Sequence, residues 1–93
     1  MTNNFLTQVL QIQNKKGLHA RAASCFVKLA EQFDAEVFVE KDGQRVCGTS
    51  IMGLMMLAAA KGCDVKLIVS GQEAQQAMTA LAELIDNKFN EEE

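Results

Sequence analysis

The chain has 93 residues, of which 48% are hydrophobic and 23% are charged, and its formal net charge is −3. This composition is typical of one compact globular domain and is too apolar for a disordered chain. The negative charge argues against a sequence-independent DNA-binding protein, and five Phe without Trp or Tyr leave little aromatic surface on which bases could stack. We therefore expect no nucleic-acid partner.

The sequence gives no sign of a targeting signal, a membrane span or a metal site. The stretch MTNNFLTQVLQIQN lacks the basic region and long apolar run of a signal peptide, and the richest apolar stretch, residues 51–60, is too short to span a membrane. The three cysteines, Cys25, Cys47 and Cys63, include no C-x-x-C pair, and one histidine cannot complete a Cys2His2 zinc site. We expect a cytoplasmic protein with reduced cysteines, no membrane insertion, no metal and no cofactor.

The spacing of hydrophobic residues predicts the helices and strands, because alternation indicates a strand and the helical repeat indicates a helix. In chain order they are a strand over 5–13, a helix over 20–33, strands over 35–40 and 45–47, a helix over 51–61, a strand over 64–70 and a last helix that follows Ser70. The dipeptide Asp42-Gly43 indicates a hairpin turn between the second and third strands.

Two serines are predicted to begin helices. The hydroxyl of Ser50 is expected to cap the second helix, and Ser70 with Glu73 has the S-x-x-E spacing of a capping box for the last one. The second helix is apolar nearly all round, so only part of it can be buried. We expect its inward side to be Leu54, Leu57 and Ala58, and its exposed side to include Ile51, Met52 and Met55.

The order β-α-β-β-α-β-α predicts an α+β fold. Strands with one apolar face each, together with amphipathic helices, form an open-faced two-layer sandwich in which a four-stranded antiparallel sheet is covered on one face by three helices. We expect one domain over residues 1–93, with frayed ends at 1–4 and 90–93. The expected core includes Val65, Leu67 and Val69 from the fourth strand, and Ala74, Ala77, Met78, Leu81, Leu84 and Ile85 from the last helix.

The single histidine, His19, lies at the predicted start of the first helix. There the backbone amides of Ala20, Arg21 and Ala22 have no intrahelical partners, and the helix dipole favours negative charge. The dipole also disfavours the protonated imidazole, which leaves a neutral nitrogen able to act as a nucleophile. A phosphoryl group on the ring, paired with Arg21, is the anion that suits this arrangement best. From spacing alone, a plain surface histidine beside solubilising basic residues remains the alternative.

Two motifs resemble those of one family. GLHARAA, residues 17–23, resembles the active-site motif G-[LIM]-H-A-R-P-A of HPr, the histidine-containing phosphocarrier of the bacterial phosphotransferase system. TSIMGLMMLAAAKG, residues 49–62, resembles the regulatory-serine signature of the same family, and the resemblance covers essentially the whole chain. It implies that His19 accepts a phosphoryl group on Nδ1 from phosphorylated enzyme I and passes it to an EIIA protein, with Arg21 as the charge partner and the first-turn amides cradling the phosphate.

The resemblance also has implications for the second helix and for one departure from the motif. It implies that Ser50 is a target of the family's HPr kinase/phosphorylase, and that Ile51, Met52 and Met55 form a docking surface which phosphate on Ser50 would weaken. Ala22 stands where the family has proline. We expect transfer to survive this change with an altered rate, because alanine also favours the helix.

Several alternatives stay open at this point. The chain is expected to be a monomeric carrier with a phosphohistidine intermediate rather than a turnover catalyst. NKKGLHAR and LMMLAAAKG favour slightly the nitrogen-regulatory branch of the family over the sugar-transport branch. Other readings are a regulator that binds partners according to the phosphorylation of His19 and Ser50, and an unrelated two-layer domain that binds a small ligand.

Overall fold

A computed structural model describes residues 5–92 as a four-stranded sheet with helices on one face. The elements are β1 (Phe5–Gln11), α1 (Ala20–Ala30), β2 (Glu36–Lys41), β3 (Gln44–Cys47), α2 (Ile51–Met56), β4 (Asp64–Ser70), α3 (Ala74–Asp86) and a short 3-10 helix, Lys88–Asn90. Every strand pair is antiparallel, and the strand order is β1-β4-β2-β3. The predicted α+β fold and its element order are confirmed.

The core lies between the sheet and the helices, as the hydrophobic alternation predicts. Val65, Leu67 and Val69 of β4 are buried as expected, and they join the inward residues of β2, α1 and α3 in one hydrophobic cluster. The last helix buries all the residues that the sequence assigns to it, namely Ala74, Ala77, Met78, Leu81, Leu84 and Ile85. Within the described part of the chain, no helix is both long enough and apolar enough to cross a bilayer.

Helix α2 is shorter than the sequence predicts, because it ends at Met56 instead of continuing to residue 61. Ala58 has a φ of +51° and is exposed, whereas Ala59 is buried, so the assignment of Ala58 to the core is wrong. The left-handed turn at Ala58 directs the chain so that the carbonyl of Ala59 accepts a hydrogen bond of 2.9 Å from the amide of Leu18. Leu54 and Leu57 are buried as expected.

The two predicted helix caps have different outcomes. The Oγ of Ser50 accepts the amide of Gly53 at 3.0 Å, which confirms the cap of α2. The capping box is wrong, because Ser70 is the last residue of β4 and α3 begins only after Glu73. The Glu73 carboxylate instead accepts the amide of Asp34 at 2.7 Å, and the Glu73 amide donates to the carbonyl of Asp34 at 2.9 Å. These bonds join the loop before β2 to the loop before α3.

After α3 the chain makes a left-handed turn that is anchored by an aromatic ring. Lys88, Phe89 and Asn90 have φ values of 59°, 54° and 63°, which costs about 1 kcal/mol or more per residue. Phe89 is 97% buried, since only 3% of it is exposed, and burying such a side chain returns about 1.5–3 kcal/mol.

This turn bears on the fraying predicted for residues 90–93. One residue after the turn, Glu91 contacts His19. The fraying of residues 90–92 stays a prediction. The other predicted frayed positions, residues 1–4 and 93, lie outside the described residues.

Candidate functional site

A close backbone contact positions the loop that carries His19. Gly17 has a φ of +68°, and a Cβ at this position would lie 2.4 Å from the carbonyl oxygen of Ala59. The next residue, Leu18, is buried, and its amide donates to that same carbonyl. The loop can therefore lie directly against the segment that follows α2 only because residue 17 has no side chain, and His19 is placed at the first turn of α1.

His19 is the N-cap residue of α1, as the sequence predicts. Its backbone is extended, its carbonyl accepts the amide of Ala23 at 2.8 Å, and its side chain makes no capping bond. Within residues 5–92, the amides of Ala20, Arg21 and Ala22 have no hydrogen-bond partner. Such a set of amides at a helix start is suited to binding an anion.

The His19 ring is bonded on one side to a carboxylate. Its Nε2 makes a hydrogen bond with Oε2 of Glu91, and the two side chains are 27% and 16% exposed. The other carboxylate oxygen of Glu91 accepts a hydrogen bond of 2.9 Å from Nδ2 of Asn14. The same Nδ2 donates a hydrogen bond of 2.8 Å to the carbonyl of Gly17. Asn14 is fully buried, so this network ties the start of the loop to the ring and to the carboxylate.

Opposing effects act on the Glu91 carboxyl, and they leave it ionised. Partial burial alone would raise the pKa of Glu91, because it disfavours the charged form. The hydrogen bonds from Asn14 and His19, together with the charges of His19 and Lys16, outweigh burial and hold the pKa of Glu91 below its usual value. Glu91 therefore faces the ring as a carboxylate near neutral pH.

His19 opens onto a cleft of about 520 Å³ with a basic wall. Its lining residues are Lys15, Lys16, His19, Arg21, Cys25, Phe89, Asn90, Glu91 and Glu92. Arg21 lines the same cleft as His19, and its guanidinium can supply planar donors to an anion. Among the described residues, no group of three or more His, Cys, Asp or Glu side chains is arranged to hold a metal ion.

Ser50 and the predicted docking residues lie outside this cleft. Ile51, Met52 and Met55 are 39%, 71% and 41% exposed, so their predicted exposure is confirmed. Met56, at 65% exposure, joins them because the helix ends there, and the sequence interpretation missed it. We call Ile51, Met52, Met55 and Met56 the α2 patch. Helix α2 packs against α1, the helix that begins at His19.

The sequence interpretation also missed Asn14, Lys16, Phe89 and Glu91. Phe89 left a signal, because it lies four residues after the buried Ile85 and so continues the apolar side of α3. Glu91 left none, since it is one of three consecutive glutamates with the same local sequence context.

Comparisons with known proteins identify the family. The family model described as PTS HPr component phosphorylation site matches residues 6–87. Phosphocarrier protein HPr of Neisseria meningitidis is 52% identical over 89 residues, which are 96% of this chain and 100% of that protein. HPr-like protein Crh of Bacillus subtilis is 43% identical over 84 residues, which are 90% of this chain and 99% of that protein.

Solved structures agree with this result and bear on the oligomeric state. HPr-C-His from Thermoanaerobacter tengcongensis has a TM-score of 0.90 at 43% identity, over 95% of this chain and 99% of that chain. An HPr dimer from the same organism has a TM-score of 0.75 at 45% identity, over 88% and 94% of the two chains. A dimer in so similar a relative argues against the predicted monomer. The two motifs, the fold and these relatives show that the chain belongs to the HPr family of phosphocarrier proteins of the phosphotransferase system.

Proposed function

We propose that this chain relays a phosphoryl group through His19, taking it from phosphorylated enzyme I and passing it to an EIIA protein. The observation that carries the proposal is the placement of the imidazole beside the unpaired amides of the first turn of α1, in a cleft whose wall includes Arg21 and Lys16. Within residues 5–92, the ring's Nδ1 makes no hydrogen bond, whereas Nε2 is bonded to Glu91. Nδ1 is thus the nitrogen available for the new bond.

The transfer needs one bond to form and one to break. The lone pair of Nδ1 attacks the phosphorus atom held by enzyme I, and the bond from phosphorus to the donor atom of enzyme I breaks with its electron pair returning to that atom. A phosphoryl group carries about −1.5 to −2 charges near neutral pH and has three acceptor oxygens. The amides of the first turn and the guanidinium of Arg21 can bind these oxygens. Transfer to EIIA is the same exchange in reverse.

Incubation with enzyme I and phosphoenolpyruvate tests this proposal. We expect one phosphoryl group, labile in acid and stable in alkali, which mass spectrometry under alkaline conditions places on His19. His19→Ala should abolish it, and Ser50→Ala, the matched control at the other proposed phosphorylation position, should retain it. Phosphate that is acid-stable, or that persists in His19→Ala, would contradict the proposal.

Regulation through Ser50 is a second proposed role. The hydroxyl caps α2 next to the exposed α2 patch, so a phosphate there would place a dianion at the rim of an apolar docking surface. A kinase of the HPr kinase/phosphorylase type is the expected modifying enzyme. A solved relative described as Crh, the Bacillus subtilis catabolite repression HPr, supports a regulatory use of the same fold. The alternative function is therefore a regulator that binds partners according to the phosphorylation state of His19 and Ser50. The sugar-transport and nitrogen-regulatory branches both remain compatible with this site, and the neighbouring genes would separate them.

Ser50→Asp tests the docking proposal. We propose that the enzyme I surface that meets the basic cleft is acidic. We then expect the KM for phosphorylation by enzyme I to rise about tenfold, because a like charge placed at that interface costs at least about 1.4 kcal/mol, which corresponds to a factor of ten. Ser50→Ala controls for the loss of the cap. Equal KM values for Ser50→Asp and Ser50→Ala would count against a charge effect on docking.

A further inference from the structure

His19 and Glu91 are far apart in the sequence, and each is positioned for their contact by its own surroundings. The two residues are 72 positions apart. Glu91 is presented by a left-handed turn over Lys88–Asn90, and that turn is kept in place by the buried ring of Phe89. Three consecutive non-glycine residues with positive φ are unfavourable, so packing around the turn must maintain it. The buried Phe89 thus sets where the backbone presents the carboxylate to the ring.

Asn14 holds the carboxylate in the orientation that the ring needs. Its Nδ2 binds Oε1 of Glu91, which leaves Oε2 for Nε2 of His19. The same Nδ2 binds the carbonyl of Gly17, two residues before the histidine. Because Asn14 is fully buried, it cannot move without disturbing the loop. One oxygen of the carboxylate is used for orientation and the other for the imidazole.

We propose that Glu91 is a positioning residue for phosphoryl transfer, which accepts the Nε2 proton of neutral His19 and so keeps the lone pair on Nδ1. A neutral imidazole has one protonated nitrogen and one with a free lone pair, and a carboxylate bonded to one nitrogen selects the tautomer. A ring protonated on Nδ1 cannot attack phosphorus through that atom. The inference rests on the proposed role of His19 and adds how its reactive nitrogen is selected.

The same contact can also stabilise the positive charge that the ring gains when it is phosphorylated. When Nδ1 forms its bond to phosphorus the Nε2 proton stays on the ring, so the ring becomes a phosphoimidazolium. The carboxylate of Glu91 then lies against this positive ring, on the side away from the phosphate. When the group leaves, the electron pair of the N–P bond returns to Nδ1 and the ring is neutral again. No proton has to leave the ring in either direction.

Nitrogen-15 NMR of the histidine ring is the direct test, because the two tautomers give different ring nitrogen shifts. In the wild-type protein, at a pH where the ring is neutral, we expect the form protonated on Nε2 to dominate. In Glu91→Ala a mixture of tautomers should appear. Glu83→Gln, which removes an exposed carboxylate from α3, is the matched control and should retain the wild-type shifts. Unchanged ring shifts in Glu91→Ala would overturn the inference.

Kinetics of phosphorylation by enzyme I supply the second readout. Glu91→Ala removes a hydrogen bond to the ring that becomes positive during transfer, so we expect a fall of about tenfold in kcat with little change in KM. The end point, phosphate on His19, should still be reached. A rate equal to that of Glu83→Gln, or a faster one, would overturn the inference while leaving the relay intact. No phosphate on His19 in the wild type would instead refute the relay, and the ring shifts would still report the tautomer.

Discussion

The loop that carries His19 and the helix that carries Ser50 are both short, but different contacts hold them. The histidine site is assembled from two distant parts of the chain, since Asn14 and His19 of one loop meet Glu91 through side-chain hydrogen bonds. Helix α2 is capped locally, by a bond from Gly53 to Ser50 three residues away, and its patch has no covering element within residues 5–92. Chemistry at an imidazole needs fixed geometry, whereas an exposed set of flexible methionines suits partners of different shapes.

The largest effect is expected where the two regions touch. Gly17→Ala would force a Cβ against the carbonyl of Ala59 and would keep a positive φ at a residue with a side chain. We expect a loss of about 3 kcal/mol in the free energy of unfolding, measured by urea denaturation, together with slower phosphorylation. Gly43→Ala is the matched control, because it has a φ of +81° with open space around it. Similar losses at both glycines would show that the close contact is unimportant.

Removing the anchor of the left-handed turn should have an effect of similar size. Phe89→Ala deletes a buried ring and is expected to cost about 3 kcal/mol of stability. Because the turn also presents Glu91, the rate of His19 phosphorylation should fall to the level of Glu91→Ala, and the double variant should be no slower. Phe5→Ala, at a ring that is 54% exposed, should change both quantities little. A Phe89→Ala protein that is less stable but reacts at the wild-type rate would show that the turn does not determine the reactivity of His19.

A smaller effect is expected in the locally held region. Ser50→Ala removes the cap of α2 and should lower the free energy of unfolding by about 1 kcal/mol. Since none of the residues bonded to His19 lies on α2, the tautomer of His19 should not change. Ring nitrogen shifts and denaturation of the same sample check both statements. A changed tautomer would mean that the two regions are coupled more closely than their contacts indicate.

The smallest expected effect concerns how the stability of the fold depends on pH. The pKa of Glu91 is lower in the folded chain than the ordinary value of a glutamate, so the unfolded state takes up the proton first as the pH falls. The stabilisation by Glu91 is therefore complete above the ordinary glutamate pKa and is lost as the pH falls towards the folded value. Glu91→Gln should be less stable than the wild type near neutral pH, and the difference should shrink in acid. A difference that grows in acid would contradict the direction of the shift.

The sequence predicts well what short-range patterns determine. Alternation identified β4 and its inward face, helical spacing identified the buried side of α3, and the side chain of Ser50 identified its own cap. Those features depend on residues within one or two turns of each other. The same kind of information placed His19 at the start of α1.

Features fixed by distant partners were missed. The end of α2 depends on the bond from Leu18 to Ala59, and nothing in LMMLAAAKG indicates that the chain turns at Ala58. Glu73 was assigned to a capping box from its spacing after Ser70, whereas its observed partner, Asp34, is 39 residues away. Glu91 could not be singled out from its neighbouring glutamates, since only the turn after α3 determines which of them reaches the ring.

The separation between His19 and Glu91 has a consequence during synthesis of the protein. The ribosome produces the nucleophile 72 residues before its partner, and the buried Phe89 that directs the partner is also made late. With Glu91 selecting the tautomer as proposed, a nascent chain that stops before this position carries an imidazole in both neutral forms. Such an interrupted chain would exchange phosphate slowly and would compete little for the cell's phosphorylated donor.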